Sequence, residues 1–186
     1  MLKIKIPPKM DIITIDNFFS KTAFADYETA FDEPKWQLCP HITTEKNDGA
    51  GVQRHFGGED GAFHLSLYPA HVISRELGKE YYCYRMRFRV TWPCEDGGIY
   101  PHIDDGELHS DKYDISAVIH MNDSDGDLII YDSIYPEPFN AEAGCMKFTP
   151  RKNRCIIMME KYWHHPMTPV KTNLRYSVNL NLKEHR

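Results

Sequence analysis

The chain has 186 residues, 41% of them hydrophobic and 26% charged, with a formal net charge of −5 at pH 7 when histidine is neutral. That length suits one domain, residues 1–186, with a sizeable core, and the apolar content excludes a disordered chain. The acidic balance argues against a nucleic-acid partner, and no stretch has the length of a membrane span or the pattern of a signal peptide.

Cys39, Cys83, Cys94, Cys145 and Cys155 make an odd number with no C-x-x-C pair, which reads as reduced, mostly buried thiols in a cytoplasmic protein. Residues 2–6 alternate as a short strand that Pro7-Pro8 stops, and Ile12 to Ile15 is a second apolar run. Ser20 is a good helix cap, and Ala23, Phe24, Tyr27 and Phe31 follow at helical spacing, which predicts a helix over 21–31. Residues 40–62 are rich in Gly, Asp, Asn and Thr and read as a long loop. A second helix is predicted over 70–77, with Gly78 as its stop.

Residues 81–92 read as a long strand. Tyr82, Tyr84, Met86, Phe88, Val90 and Trp92 share one face as candidate core, while Arg85, Arg87, Arg89 and Thr91 share the other. The arginine face is expected to be solvated for at least two of the three, leaving one for an anion. Further strands are predicted at 114–121, buried on both faces, and at 127–131 after an Asn-Asp-Ser-Asp-Gly turn. Residues 144–149 and 154–159 read as a hairpin around Pro150-Arg-Lys-Asn153, and Arg175 to Leu182 as a final strand. A run of short strands behind a helical N-terminal third predicts a mainly β sandwich, jelly roll or barrel covered on one side by helices.

Three pieces carry chemistry. His102 and Asp104 form an H-x-D pair after a strand and a Gly-Gly turn, and in extended backbone i and i+2 point to one side, toward a single metal ion. Trp163-His164-His165-Pro166 supplies two candidates for a second imidazole, which would complete the 2-His-1-carboxylate face of non-haem iron sites. Adjacent side chains of a strand point opposite ways, so only one of the pair can bind. Arg175-Tyr-Ser177 adds a guanidinium on a strand, and its planar fork suits a carboxylate.

From Ile12 to Leu182 these segments resemble the Fe(II)/2-oxoglutarate-dependent oxygenases, most closely the prolyl-4-hydroxylase-like group, including small versions carried by bacteriophages. Ile13 to Ser20 is similar to that group's entry into its first helix, and Trp92-Pro93 stands where the group has Tyr-Pro. Ile119-His120-Met121-Asn122 is similar to its Tyr-Tyr-Leu-Asn strand, and His165-Pro-Met-Thr-Pro-Val170 with Arg175-Tyr-Ser177 to its distal-histidine segment. The resemblance implies a double-stranded β-helix (jelly roll). It also implies Fe(II) on His102, Asp104 and His165, which has the apolar residue at +2 and the proline at +4 that His164 lacks. Arg175, assisted by Ser177, would hold the distal carboxylate of 2-oxoglutarate. His120 and Trp92 replace frequent tyrosines and would line the cosubstrate pocket.

The implied activity is hydroxylation of a C–H bond in a peptide, with proline the first candidate, or in another amino acid or small metabolite. Dioxygen would be consumed, succinate and CO2 released, and ascorbate would serve as an accessory reductant. A carboxylate at Asp104 favours hydroxylation over halogenation, and Asn181 stands where the DNA-repair branch carries a second arginine. The entrance is expected between residues 40–62, 106–113 and 132–142. The rival is a cupin-like metal-binding jelly roll without oxygenase activity, which has no need of Arg175.

Overall fold

A computed structural model describes residues 10–32, 37–39, 51–56, 63–93, 100–104 and 113–186, with backbone alone for 37–39, 51–56, Phe63 and His64. The candidate strand 2–6, Cys94, and residues 40–50, 57–62 and 106–112 of the expected entrance lie outside the described residues, whereas 132–142 is described and its first three residues belong to β6. The elements run β1 (Ile12–Asp16), α1 (Lys21–Asp32), β2 (Gln37–Cys39), β3 (Gly51–Phe56), α2 (Phe63–Leu77), β4 (Tyr81–Thr91), β5 (Ile115–His120), β6 (Leu128–Ile134), β7 (Cys145–Phe148), β8 (Arg154–Met158), β9 (Tyr162–Pro166) and β10 (Arg175–Glu184). Among these strands, β1-β8-β5-β10-β4-β3-β2 form one sheet and β7-β6-β9 a second. All their pairings are antiparallel. This is the expected jelly roll, with both helices against the larger sheet.

α1 starts where the cap predicts: Ser20 Oγ accepts the Ala23 amide at 3.2 Å. Its Phe24, Tyr27 and Ala30 are buried. α2 begins seven residues before the predicted start and runs through Pro69. A proline has no N–H for the carbonyl four residues back, here Leu65. The Tyr27 hydroxyl donates to that carbonyl instead, so the defect in one helix becomes the docking point of the other. α2 ends at Gly78, whose φ of 66° is the left-handed stop.

The described residues form two cores. Outside the large sheet, Met86, Phe88, Ile119, Ile157, Val178 and Leu180 pack with Phe19, Tyr27 and Ile73 of the helical layer. Between the sheets, Val118, Ile156 and Met158 meet Leu128, Ile130 and Tyr162.

Three expectations are corrected. Residues 51–56 of the expected loop are strand β3, paired with β4. Residues 144–149 and 154–159 are not a hairpin, because β7 pairs with β6 whereas β8 pairs with β1 and β5. Asn153, at φ 62°, turns that corner between sheets; its side chain bonds Phe19 N and O, and its amide the His120 carbonyl. In β4 the register shifts: Arg85 opposes Asn181 and Cys83 opposes Leu182, so Tyr84 is the extra residue of a bulge. The face therefore switches there. Tyr82 and Tyr84 are 43% and 38% exposed, and Tyr81 takes their place in the core.

The bulge leaves Arg85, Arg87, Arg89 and Thr91 on the face directed at the second sheet. The expectation of a solvated arginine face fails: Arg87 and Arg89 are 8% and 2% exposed. Directly opposing residues of paired strands share a face. Thr91 opposes Arg175, Arg89 opposes Ser177, Arg87 opposes Asn179, and Ser177 in turn opposes His120. The inner face of the large sheet is thus apolar at Val118, Ile156 and Met158, basic along β4, and polar along β10, which begins at Arg175.

Candidate metal centre

His102 and Asp104 lie on the extended segment after β4, and His102 exchanges two backbone hydrogen bonds of 2.9 Å with His164 of β9. That bridge puts the two imidazoles on one side, with ring centroids 4.8 Å apart. The candidate ligand atoms of His102, Asp104 and His164 all lie within 4.8 Å of one another. Asp104 and His164 are buried and His102 is half-buried. The Tyr113 hydroxyl donates to the Asp104 carbonyl at 2.8 Å and fixes the segment from below.

The donor set fits a metal ion. Nδ1 of His102 meets the Tyr100 carbonyl at 2.9 Å, and Nδ1 of His164 meets the Tyr162 carbonyl at 2.9 Å. A ring whose Nδ1–H is tied to a carbonyl presents Nε2 as a neutral donor, the arrangement that orients imidazole ligands. Burial, reinforced by the neighbouring His164, pushes His102 down to about 3, so its ring is unprotonated at neutral pH. Burial by itself would raise the Asp104 carboxyl; the Arg87 guanidinium, then His164 and His102, outweigh it and hold the group well below the usual carboxylate range. Arg87 Nη2 donates to Asp104 Oδ1 at 2.6 Å, and Asp104 Oδ2 lies 3.9 Å from His164 Nε2. One carboxylate oxygen is oriented by Arg87 while the other faces the imidazoles.

The structure corrects the choice between the paired histidines. His165, preferred on the motif pattern, sits on the opposite face of β9. Its Nδ1 pairs with the Tyr131 hydroxyl at 3.1 Å and its Nε2 contacts Met167 Sδ at 3.1 Å, so both ring nitrogens are engaged away from His102 and Asp104. β9 lies on β6 with His164 opposite Ile130 and His165 opposite Ile129. Ile130 belongs to the core between the sheets, and its partner His164 therefore points inward.

Arg175 and His120 lie in the interior. Arg175 is 3% exposed and its Nε has no hydrogen-bond partner among the described residues. Burial lowers it to about 10, opposed by the charge of Asp127. Both ring nitrogens of His120 are buried without a partner, and burial together with Arg175 holds the ring neutral. Asn122 anchors the start of β10: its amide donates to the Leu174 carbonyl and accepts from the Tyr176 amide, bracketing Arg175. Ser177 is buried and donates to Asn179 at 3.2 Å. Trp92 stands one residue beyond β4 and is half-buried; Thr91, which was not singled out, shares the inner face with Arg175. Arg87, as the partner of Asp104, was not assigned either. The alternation of β4 holds the only sequence signal for it.

No protein-family profile matches the chain, and no curated protein sequence matches it. Solved structures do. An oxidoreductase of the 2OG-Fe(II) oxygenase family from Burkholderia pseudomallei is 13% identical with a TM-score of 0.69, over 94% of this chain and 86% of that one. A prolyl hydroxylase from Trichoplax adhaerens, solved with a hypoxia inducible factor peptide fragment, is 11% identical with a TM-score of 0.66, over 95% and 84%. A Pseudomonas putida prolyl-4-hydroxylase is 12% identical with a TM-score of 0.62, over 96% and 95%. At such identities the likeness is one of fold, and the chain has the jelly-roll fold of the 2-oxoglutarate–Fe(II) oxygenases.

Proposed function

We propose that the chain is a non-haem, 2-oxoglutarate-dependent dioxygenase that hydroxylates a C–H bond of a small molecule or peptide. The observation that carries this reading is the pairing of a largely buried two-histidine, one-carboxylate cluster with an interior arginine, Arg175, whose Nε lacks a partner among the described residues. A cupin-like metal-binding jelly roll accounts for the first and has no use for the second.

His102, Asp104 and His164 would hold Fe(II), leaving open positions on the metal. Arg175 would receive the distal carboxylate of 2-oxoglutarate, with His120 and Thr91 beside it. The neutral His120 ring offers one donor and one acceptor to that carboxylate or to bound water. When bound, iron and 2-oxoglutarate supply the oxidising power: the substrate C–H, O2 and 2-oxoglutarate become the alcohol, succinate and CO2. Arg87 would keep the Asp104 carboxylate ionised and turned, and the apolar core formed by Val118, Ile156 and Ile130 excludes water from one side of the site.

The test is an anaerobic titration of the protein with Fe(II) and 2-oxoglutarate, following the visible charge-transfer band of the chelate. The band should form in wild type, vanish in Asp104→Ala and weaken in Arg175→Ala. A folded, metal-loaded wild type without the band would return the chain to the metal-binding reading.

A further inference from the structure

The basic inner face holds more positive charge than the proposed chemistry consumes. Arg87 is committed to Asp104 at 2.6 Å. Arg175 has the half-buried Asp127 in its field and lies where the distal carboxylate of 2-oxoglutarate is expected. Arg89 has only Asp104 in its field, a carboxylate already bonded to Arg87. It is 2% exposed, its Nε is buried without a hydrogen-bond partner, and it forms no ion pair among the described residues. It stands on β4 between Arg87 and Thr91 on the same face, and diagonally from Arg175 across the β4–β10 pair, a separation of about 7–8 Å between backbones. It shares the inner face of β4 with Arg87, whose guanidinium bonds Asp104, so it stands on the side of the metal cluster.

A buried guanidinium flanked by two others, with one carboxylate already spoken for, is unfavourable until an anion arrives. The divalent metal and the two carboxylates of 2-oxoglutarate offset one another, and loading the site therefore leaves Arg89 uncompensated. A neutral substrate such as a prolyl ring would keep it so. We propose that the primary substrate of this site carries a carboxylate or phosphate group and that Arg89 binds it, placing the reacting C–H between that anion and the metal. The inference rests on the oxygenase reading of the site and narrows its substrate to an acidic one. A guanidinium presents a fork of N–H donors matched to two oxygens, which suits either group.

The test uses the full chain loaded anaerobically with Fe(II) and 2-oxoglutarate, with the chelate band confirmed first. Acetate and inorganic phosphate are then titrated separately at constant ionic strength against a chloride control, reading the unfolding temperature. A saturable rise is expected in wild type, with acetate if the substrate anion is a carboxylate and with phosphate if it is a phosphate. In Arg89→Gln the half-saturating concentration should increase at least tenfold while the chelate band persists. Arg89→Lys keeps the charge, loses the fork, and should shift the same way by less; it serves if the Gln variant does not fold. A wild type that forms the chelate yet shows no saturable response to either anion overturns the proposal, as does an Arg89→Gln response equal to wild type. Loss of the chelate band in Arg89→Gln also overturns it, by assigning Arg89 to the cosubstrate. Absence of the band in wild type itself is a separate result, since it removes the oxygenase reading first.

Discussion

His164 and His165 show what a single residue can and cannot reveal. The +2 and +4 neighbours favour His165, but which imidazole enters the interior depends on strand parity. Parity is set by the bridge from His164 to His102 and by the pairing of His164 with Ile130, two long-range contacts. Replacing each in turn separates the assignments. His164→Ala should abolish tight Fe(II) binding, whereas His165→Ala, which loses only the contacts to Tyr131 and Met167, should leave it within a few-fold of wild type by equilibrium metal titration. The reverse order would restore the motif-based choice. Arg87 acts one step further out. Arg87→Ala removes the 2.6 Å bond that orients Asp104, and metal affinity should fall by about 10–100-fold with the three ligands intact. His102, Asp104 and Arg175 were legible because residue type and spacing alone bring them forward. Arg87 was not, because alternation shows only that a face exists, and the bulge at Tyr84 decides what it looks at.

Elements were legible where local pattern and packing agree, as in α1, β5 and β10, and were missed where a long-range contact repairs a local fault. Pro69 is the example. Read locally it starts a helix; in the fold Tyr27 supplies the donor that Pro69 withholds from Leu65, and α2 continues through it. Tyr27→Phe should therefore cost about 1–3 kcal/mol, the penalty of an unmet buried carbonyl plus the lost contact. Adding Pro69→Ala should recover part of that loss, because the restored amide can reach Leu65. A urea-denaturation double-mutant cycle checks it, and strict additivity would refute the repair. The turn ahead of β10 is a second such element. Asp125 accepts from the amides of Val170, Lys171 and Thr172 and from the Thr172 hydroxyl. Burial pushes its carboxyl up, but these hydrogen bonds prevail and hold it well below the ordinary 3.8. Its folded pKa being depressed, the stabilisation is fully present above the ordinary carboxyl value and is lost as pH falls from there toward the lower folded one. Urea midpoints measured from about pH 5 to pH 2 should fall more steeply in wild type than in Asp125→Asn. Gly126 lies against the same turn. A Cβ there would stand 2.5 Å from the Met167 carbonyl oxygen, so Gly126→Ala should cost about 1–3 kcal/mol by displacing the chain that leads from His164 to Arg175.

At the scale of the whole molecule the fold divides its work between two layers. The outer core, with Phe88 between Tyr27 and Phe31, is aromatic, continuous and closed. The space between the sheets is only half apolar, and its other half gathers Arg87, Arg89, Arg175 and His120 at 8% exposure or less, with Asp104 the one buried carboxylate among the described residues. Such an interior is unfavourable by itself, because desolvated guanidiniums without anions oppose folding. The stability of the unloaded protein should thus be limited by this half and restored by its ligands. Metal and 2-oxoglutarate at one hundred times their dissociation constants would each contribute about 2.7 kcal/mol if they bind only the folded chain. The sharper consequence concerns Arg89, whose buried Nε lacks a hydrogen-bond partner. Arg89→Met keeps much of the side-chain volume and removes the charge. In the unloaded protein it should raise stability by roughly 1–3 kcal/mol, the gain seen when an unfavourable buried charge gives way to an apolar side chain. Urea unfolding of unloaded wild type and variant, followed by tryptophan fluorescence, measures this directly. A variant more stable than wild type means that the arginine is kept for what it binds rather than for the fold. A variant less stable than wild type means that Arg89 has a structural anion within the chain and that the acidic-substrate inference fails with it.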